Sequence, residues 1–397
     1  MGRRNTKHSN EQILRQSDFS GGLNLLVSPE ALKGNELSQA ENWEYSYPTN
    51  KLKTREGIEL VKDVGVDIDT LFYADNHDAF YYSSSGWLYK YVGGETTNIG
   101  ELSGSSVPKF TLWGNKILIA SGQELQSYDG TTLDDTGSPD SDIVFTRAGR
   151  VVIAKTGTDK LIYSGIGDET NWAVGTEADS IEIDIGYKDG GDIISVEPLA
   201  TDVVVFKSSG SIFRVAGEYP DWAVYEITRS QTAFTRFTTV QVGNDVFFLS
   251  GTGFMSLKAV QEYGNVKTSV EGFKINSALV AIIDSGAKIW SIHSKGQIWV
   301  RPEVTDYIWV YHILTRAWTK FKMKGIVTGH VSLDDGTEYI SIGQKIYSIG
   351  GQQDEGEDFE CFLKTKRCRI GINRFNYHRS YDQKFSHTSK WRYSLYR

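Results

Sequence analysis

Seven histidines are the side chains best suited to hold a metal or move a proton near neutral pH: His8, His77, His293, His312, His330, His378 and His387. No two stand as His-x-His or in a His-Glu-x-x-His frame, so their spacing gives no zinc or metalloprotease site. A serine nucleophile would need a Gly-x-Ser-x-Gly elbow, and a phosphate site a glycine loop opening a helix; neither occurs. Ser250-Gly251-Thr252-Gly253 reads as a hairpin turn, with no helical pattern after it. Asp184 to Asp192, DIGYKDGGD, superficially resembles a calcium loop, but it lacks alternating oxygen ligands and has Ser195 where the closing Glu belongs. The pairs Asp134-Asp135 and Asp334-Asp335 lie beside Gly or Thr and read as solvated hairpin tips. Carboxylates on separate strands could still converge, as a glycosidase would require. No metal or cofactor is expected, and no catalytic residue can be named.

The elements that would position such groups are hairpins. Thr201 to Gly217, TDVVVFKSSGSIFRVAG, has a β-branched and aromatic run, a polar turn at Lys207 to Gly210, and a returning strand. The same pattern starts at Ala79, Lys116, Arg150, Asp245, Lys288 and Glu338. Turn glycines at 210, 253, 296 and 343 are 43, 43 and 47 residues apart, and Gly86 and Gly122 are 36 apart. Hairpins repeating every 40 to 50 residues predict an all-β chain folded as a β-propeller of about seven blades. A two-sheet sandwich is the alternative. The first blade would be completed by N-terminal strands.

Three segments depart from the repeat. Residues 1–60 form an N-terminal arm and strap, with short helical turns expected at Ser28 to Leu32 and Asn35 to Ala40, then strands at Asn42 to Tyr45 and Lys51 to Arg55. Within the propeller, 61–352, an insertion spans 165–192; Ile181, Ile183 and Ile185 alternate with Glu182 and Asp184, a strand with an acidic face. Residues 353–397 form a short C-terminal extension, an acidic linker followed by a basic tail. That tail reads as a terminal strand with a loosely ordered end, as a docking or nucleic-acid-touching segment, or as the product of an altered reading frame or truncated gene end.

Net charge is −8, unevenly placed. Residues 361–397 hold ten Lys or Arg against one acid, Asp382, while the other 360 residues carry 32 basic and 49 acidic groups. Such an acidic body argues against a DNA-gripping surface, since duplex binding depends on cations meeting phosphate. No run reaches the length of a membrane span. The basic N-terminus has no apolar signal core, and two cysteines, Cys361 and Cys368, make no disulfide framework. A reducing compartment is expected.

Phe19-Ser20-Gly21-Gly22-Leu23-Asn24, then Pro29, Glu36 and Ala40-Glu41-Asn42, then Leu52-Lys53-Thr54-Arg55-Glu56-Gly57-Ile58, resemble the opening of tail proteins of short-tailed phages. Leu161 to Ser164 with Gly167 to Trp172, and Gly190 to Ile194 leading into Val204 to Lys207, are similar to further features of that family. The resemblance covers residues 17–350 and implies a tail nozzle, the accessory protein that stabilises packaged DNA. It implies a homo-oligomeric ring, commonly a hexamer, below portal and adaptor proteins, continuing the conduit for duplex DNA and offering sites to fibres or a needle. Such a protein is made in the bacterial cytoplasm and carried in the virion tail. On this resemblance Glu182, Asp184, Asp189 and Asp192 are candidates for the channel wall, and Phe19, Leu23, Trp43 and Arg55 for subunit docking. The C-terminus departs from the family, whose members have a longer β-rich end. The competing reading is a carbohydrate-binding propeller of a tail fibre, using Trp87, Trp172, Trp222 and Trp299.

Overall fold

The computed structural model describes residues 18–385 apart from 47, 48, 50, 177, 187, 200, 218–220, 261–264, 367, 368, 373, 374 and 379–381. Six antiparallel sheets have four strands each. In chain order they run from Thr70–Ala74 to Glu95–Glu101, from Lys109–Trp113 to Leu133–Asp135, from Ser141–Arg147 to Ile181–Asp184, from Ile193–Leu199 to Ala223–Thr228 and from Thr239–Val242 to Asn265–Val270. The last has Val327–Ser332, Glu338–Ile342 and Lys345–Ile349, with Ile58–Asp63 as its fourth strand. Between the fifth and the last lies an eight-stranded sheet. It begins with the same meander: Ile289–Ser294, Gln297–Pro302, Tyr307–His312 and Ala317–Lys322.

Apolar clusters join each sheet to the next, and Ile346 of the last packs with Leu71, Phe80 and Tyr82 of the first. This is a β-propeller, with six four-stranded blades where about seven were expected; the eight-stranded sheet accounts for the difference.

Two-sided burial explains the continuous apolar runs. In Asp202–Lys207, Val203 and Val205 pack with Val152 and Leu161 of the preceding sheet, while Val204 and Phe206 pack with Val246 and Phe248 of the following one. Successive side chains point to opposite faces, so the middle of a strand between two neighbours is apolar at successive positions. All seven expected hairpins are present. Six are the second and third strands of their sheets, but the one turning at Gly296 is the first and second. Its agreement with the 43-residue spacing is a coincidence of linker length, because a helix, Asn276–Asp284, precedes that sheet and packs Leu279 and Ile283 on Phe254.

The ends of the chain correct several expectations. Glu36–Glu41 is a strand and not a helical turn, because it pairs with Cys361–Thr365 and, at Glu41, with Ala317–Lys322. The strand Asp382–Phe385 pairs in turn with Cys361–Thr365, so strap and extension together widen the eight-stranded sheet. The boundary at residue 60 falls inside Ile58–Asp63, which completes the last sheet and not the first. Within 165–192, Ile181–Asp184 is the regular fourth strand of the third sheet. Cys368 and the tail beyond residue 385 lie outside the described residues. Among the described residues no helix is long and apolar enough to cross a membrane.

Gly57 shows how tightly closure is packed. A Cβ there would lie 2.0 Å from the carbonyl oxygen of Gln353, a backbone atom that cannot swing aside. Gly57→Ala should therefore cost about 1–3 kcal/mol, read as a lowered urea midpoint. Gly34→Ala, with open space around it, should stay within about 0.5 kcal/mol of the parent.

Candidate functional site

The first strand of each sheet packs beside the first strand of a neighbour, as Lys109–Trp113 does with Ser141–Arg147 and Thr239–Val242 with Ile289–Ser294. These strands surround the axis. Val107, Asp142, Asp192, Ile193, Phe237 and Lys288, near their starts, line one cavity of about 600 Å³ at an end of that axis. Arg236 crosses it. Placed just before the fifth sheet, it donates from Nη2 to the Val107 carbonyl (2.5 Å) and from Nη1 to the Asp142 carbonyl, and Nη1 lies 2.9 Å from the Asp142 carboxylate as an ion pair. These partners approach the second and third sheets, across the ring. Burial pulls the Arg236 pKa down and Asp142 opposes it. The propeller axis is therefore barred at this end by a guanidinium.

A second arrangement holds the strap. Arg55 is buried, and all five of its N–H donors are used. Nε donates to Asn42 Oδ1 (3.0 Å), Nη1 to the Glu56 carbonyl (2.8 Å) and Asp354 Oδ1 (2.9 Å), and Nη2 to the Lys322 carbonyl (3.0 Å) and Asp354 Oδ2 (2.5 Å). Phe359 lies against the guanidinium, 3.9 Å from its ring centroid. Asn42 sits in the left-handed region (φ 61°), which asparagine tolerates better than most residues. From there its Oδ1 also accepts from the Lys322 amide (2.8 Å) and its Nδ2 donates to the Glu360 carbonyl (2.7 Å). Gly22 is likewise left-handed, and a Cβ on it would meet that of Ala317 at 2.7 Å.

Beneath the strap hairpin, Trp43–Tyr45 with Leu52–Thr54, lies a cavity of about 490 Å³. Tyr45, Ile58, Trp299, Phe321, Met323 and Ile349 supply its apolar wall. Glu44, Lys53, Glu56, Lys295 and Glu338 supply charges. They alternate in sign: Lys53 is 2.8 Å from Glu44 and 3.7 Å from Glu56, and Lys295 is 3.1 Å from Glu56 and 4.0 Å from Glu338. Gln297 donates to Glu44 (3.1 Å) and receives from the Trp299 indole (2.9 Å). His312 braces the hairpin edge-on against Tyr45, 4.8 Å between centroids, and shares a 2.8 Å hydrogen bond with Thr319. Burial pushes the His312 pKa down to about 3.

The residues singled out in the sequence fall in different places. Glu182 and Asp184 project from the outermost strand of the third sheet, both within 4.0 Å of Lys160. Asp189 is buried against Lys207, whose Nζ also donates to the Ile185 carbonyl (2.6 Å). Asp192 lines the axial cavity. The four carboxylates thus form no single acidic face. Leu23 is in the core with Phe254 and Trp318, Phe19 and Trp43 pack on Leu37 of the strap and Leu363 of the extension, and Arg55 is the strap hub, so all four docking candidates make contacts within their own chain. Of the four tryptophans, Trp87 is exposed, Trp172 and Trp222 pack at sheet junctions and Trp299 is buried. Among the described residues, no group of three His, Cys, Asp or Glu could hold a metal ion. Arg236 carried no signal in the sequence, since its partners lie 94 and 129 residues away.

No family model matches the chain, and no curated protein does. Solved structures do. The extracellular domain of the one-component system BT4673 from B. thetaiotaomicron is 12% identical with a TM-score of 0.54, covering 87% of this chain and 50% of its own; the present chain thus spans half the length of that structure. Streptogramin B lyase is 9% identical with a TM-score of 0.52, covering 74% of this chain and 96% of its own. At these identities the likeness is of fold alone. One of the two is an enzyme by name, so the fold does not decide between scaffold and catalyst.

Two buried arginines make predictions of different size. Arg55→Met leaves Asp354 charged and buried and should cost about 3–5 kcal/mol. Arg301 is buried 4.8 Å over Trp290, donates to the Thr328 carbonyl, and has no carboxylate within 4.0 Å among the described residues; burial takes its pKa to about 9. Arg301→Met should cost no more than about 1 kcal/mol. Equilibrium unfolding compares them directly. His312 gives a pH test. Its folded pKa lies below the unfolded value of about 6.5, so the stability it contributes is full above pH 6.5 and falls as pH drops toward 3. His312→Asn should flatten that acid limb.

Proposed function

We propose that this chain is a structural virion protein of the phage tail nozzle type, acting in an oligomeric ring as part of the conduit for DNA retention and ejection. The observation that carries the reading is the convergence of the resemblance-bearing residues. Asn42 and Arg55, distant in the motif, meet at one buried latch that Arg55 makes with Asp354, Gly57 lies against the backbone of the adjacent Gln353, and Gly22 and Leu23 seat the strap beside Ala317 and Trp318. A family signature is expected to mark positions whose geometry admits few substitutes. In this reading the first four strands of the eight-stranded sheet count as a seventh blade, and the strap and extension dress that blade's outer side.

Because Arg236 bars the propeller axis, duplex DNA would pass between copies, through the hole of the ring. Glu182 and Asp184, on an outermost strand with Lys160 between them, would then line that hole with a net negative charge. Like charges repel within a Debye length of about 8 Å at physiological salt. Portal and adaptor proteins are the proposed neighbours on one side, fibres or a needle on the other, with the virion tail as the location. The mechanism is passive and has no turnover.

Negative-stain imaging and sedimentation, with the chain alone and with its adaptor, should show closed rings with six-fold symmetry, and a duplex DNA column at about 0.15 M salt should not retain them. A monomer under both conditions would overturn the reading.

A further inference from the structure

We propose that the cavity beneath the strap hairpin binds an organic monocation, an ammonium or guanidinium head on an apolar stem. Three carboxylates face it, Glu44, Glu56 and Glu338, against two lysines, Lys53 and Lys295. Arg55 also borders the cavity, but its charge is matched by Asp354. The wall is therefore one positive charge short.

The shortfall is localised. Lys53 sits between Glu44 and Glu56, and Lys295 lies closer to Glu56 (3.1 Å) than to Glu338 (4.0 Å). Glu338 is 1% exposed, and both its oxygens accept from one hydroxyl, Ser294 Oγ, at 2.9 and 2.7 Å. Behind it, His330 Nε2 is 3.9 Å away. Burial raises the Glu338 pKa, but His330, Ser294 and Lys295 outweigh it and hold the carboxyl below its usual range. Glu338 shares Lys295 with Glu56, which lies nearer to it, so a second cation delivered there meets a buried carboxylate that is only partly matched and gains more than one on the surface.

The rest of the cavity specifies the stem. Trp299, Phe321, Met323, Ile58 and Ile349 present carbon to the interior, and 490 Å³ falls within the range of small-molecule sites, about 300–1,000 Å³. An anion would meet the surplus carboxylate, and a neutral analogue would leave Glu338 as it is. The same head and stem occur on a free amine and on the lysine or arginine side chain of another chain.

The test is calorimetric titration of the full chain at pH 8, where an ordinary imidazole is neutral. The probes are n-hexylammonium, 1-hexanol, hexanoate and Nα-acetyl-lysine amide. Hexylammonium should bind with a Kd of about 1 mM, with the alcohol and the acid at least about tenfold weaker. Glu338→Gln should weaken hexylammonium about tenfold or more, and Lys295→Met, which removes a competing cation, should tighten it about threefold, the first loss being about 1.4 kcal/mol. If circular dichroism shows Glu338→Gln unfolded, Glu56→Gln, on the more exposed rim, replaces it. Binding of the lysine amide as well as hexylammonium assigns the site to a side chain from a partner; hexylammonium alone assigns it to a free amine. Equal binding of hexanol and hexylammonium, no binding to the parent chain, or unchanged affinity in the Glu variant would overturn the proposal.

Discussion

The buried pair of Arg55 and Asp354 is the contact on which the rest of the molecule leans. A ring of sheets stays closed only if the two ends of its chain are held together, and here the N-terminal strand Ile58–Asp63 is laid against Lys345–Ile349. Arg55 lies three residues before that strand and Asp354 five residues after the other. Their two hydrogen bonds tie together the segments flanking the closure. Asn42 and Lys322 bring the strap and the eight-stranded sheet into the same network. A buried ion pair is weak evidence of stability in itself, since desolvation offsets much of the attraction. Its consequence is specificity: with every guanidinium donor used, few other arrangements of strap and propeller satisfy it.

Around that latch the propeller is held by repetition of one packing rule. Middle strands bury both faces, so each blade contributes half of two apolar clusters and cannot be removed without opening both. The clusters between Val152 and Val205, and between Phe206 and Phe248, are instances of one joint used around the ring. Polar side chains are then pushed to the axis, to the outermost strands and under the strap. Charge pairs in those three places are Arg236 with Asp142, Glu182 and Asp184 with Lys160, and the alternating chain from Glu44 to Glu338.

The electrostatic surroundings differ more than residue identity suggests. Asp189 and Asp184, five positions apart, have different fates: one is buried against Lys207, the other remains half exposed beside Lys160. Arg55 and Arg301 are both buried, yet one is fully paired and the other rests on an indole and one carbonyl. Burial without a partner shifts a group's protonation, and burial with one fixes a geometry. The axial bar, the strap latch and the cavity beneath the strap are three uses of that distinction.

The sequence by itself determined the class of fold and the hairpins, because β-branched runs and glycine turns act over a few residues and every copy repeats them. It also marked Asn42, Arg55 and Gly57, through a motif, without saying what they touch. Tertiary structure alone decided that Gly296 belongs to a different turn in its sheet, that Glu36–Glu41 is a strand, and that the four candidate carboxylates lie apart. It alone placed Arg236 across the axis and Glu338 opposite the strap. The reason is physical: pairing, burial and counter-charge come from residues tens to hundreds of positions away, and local pattern carries no record of those distances.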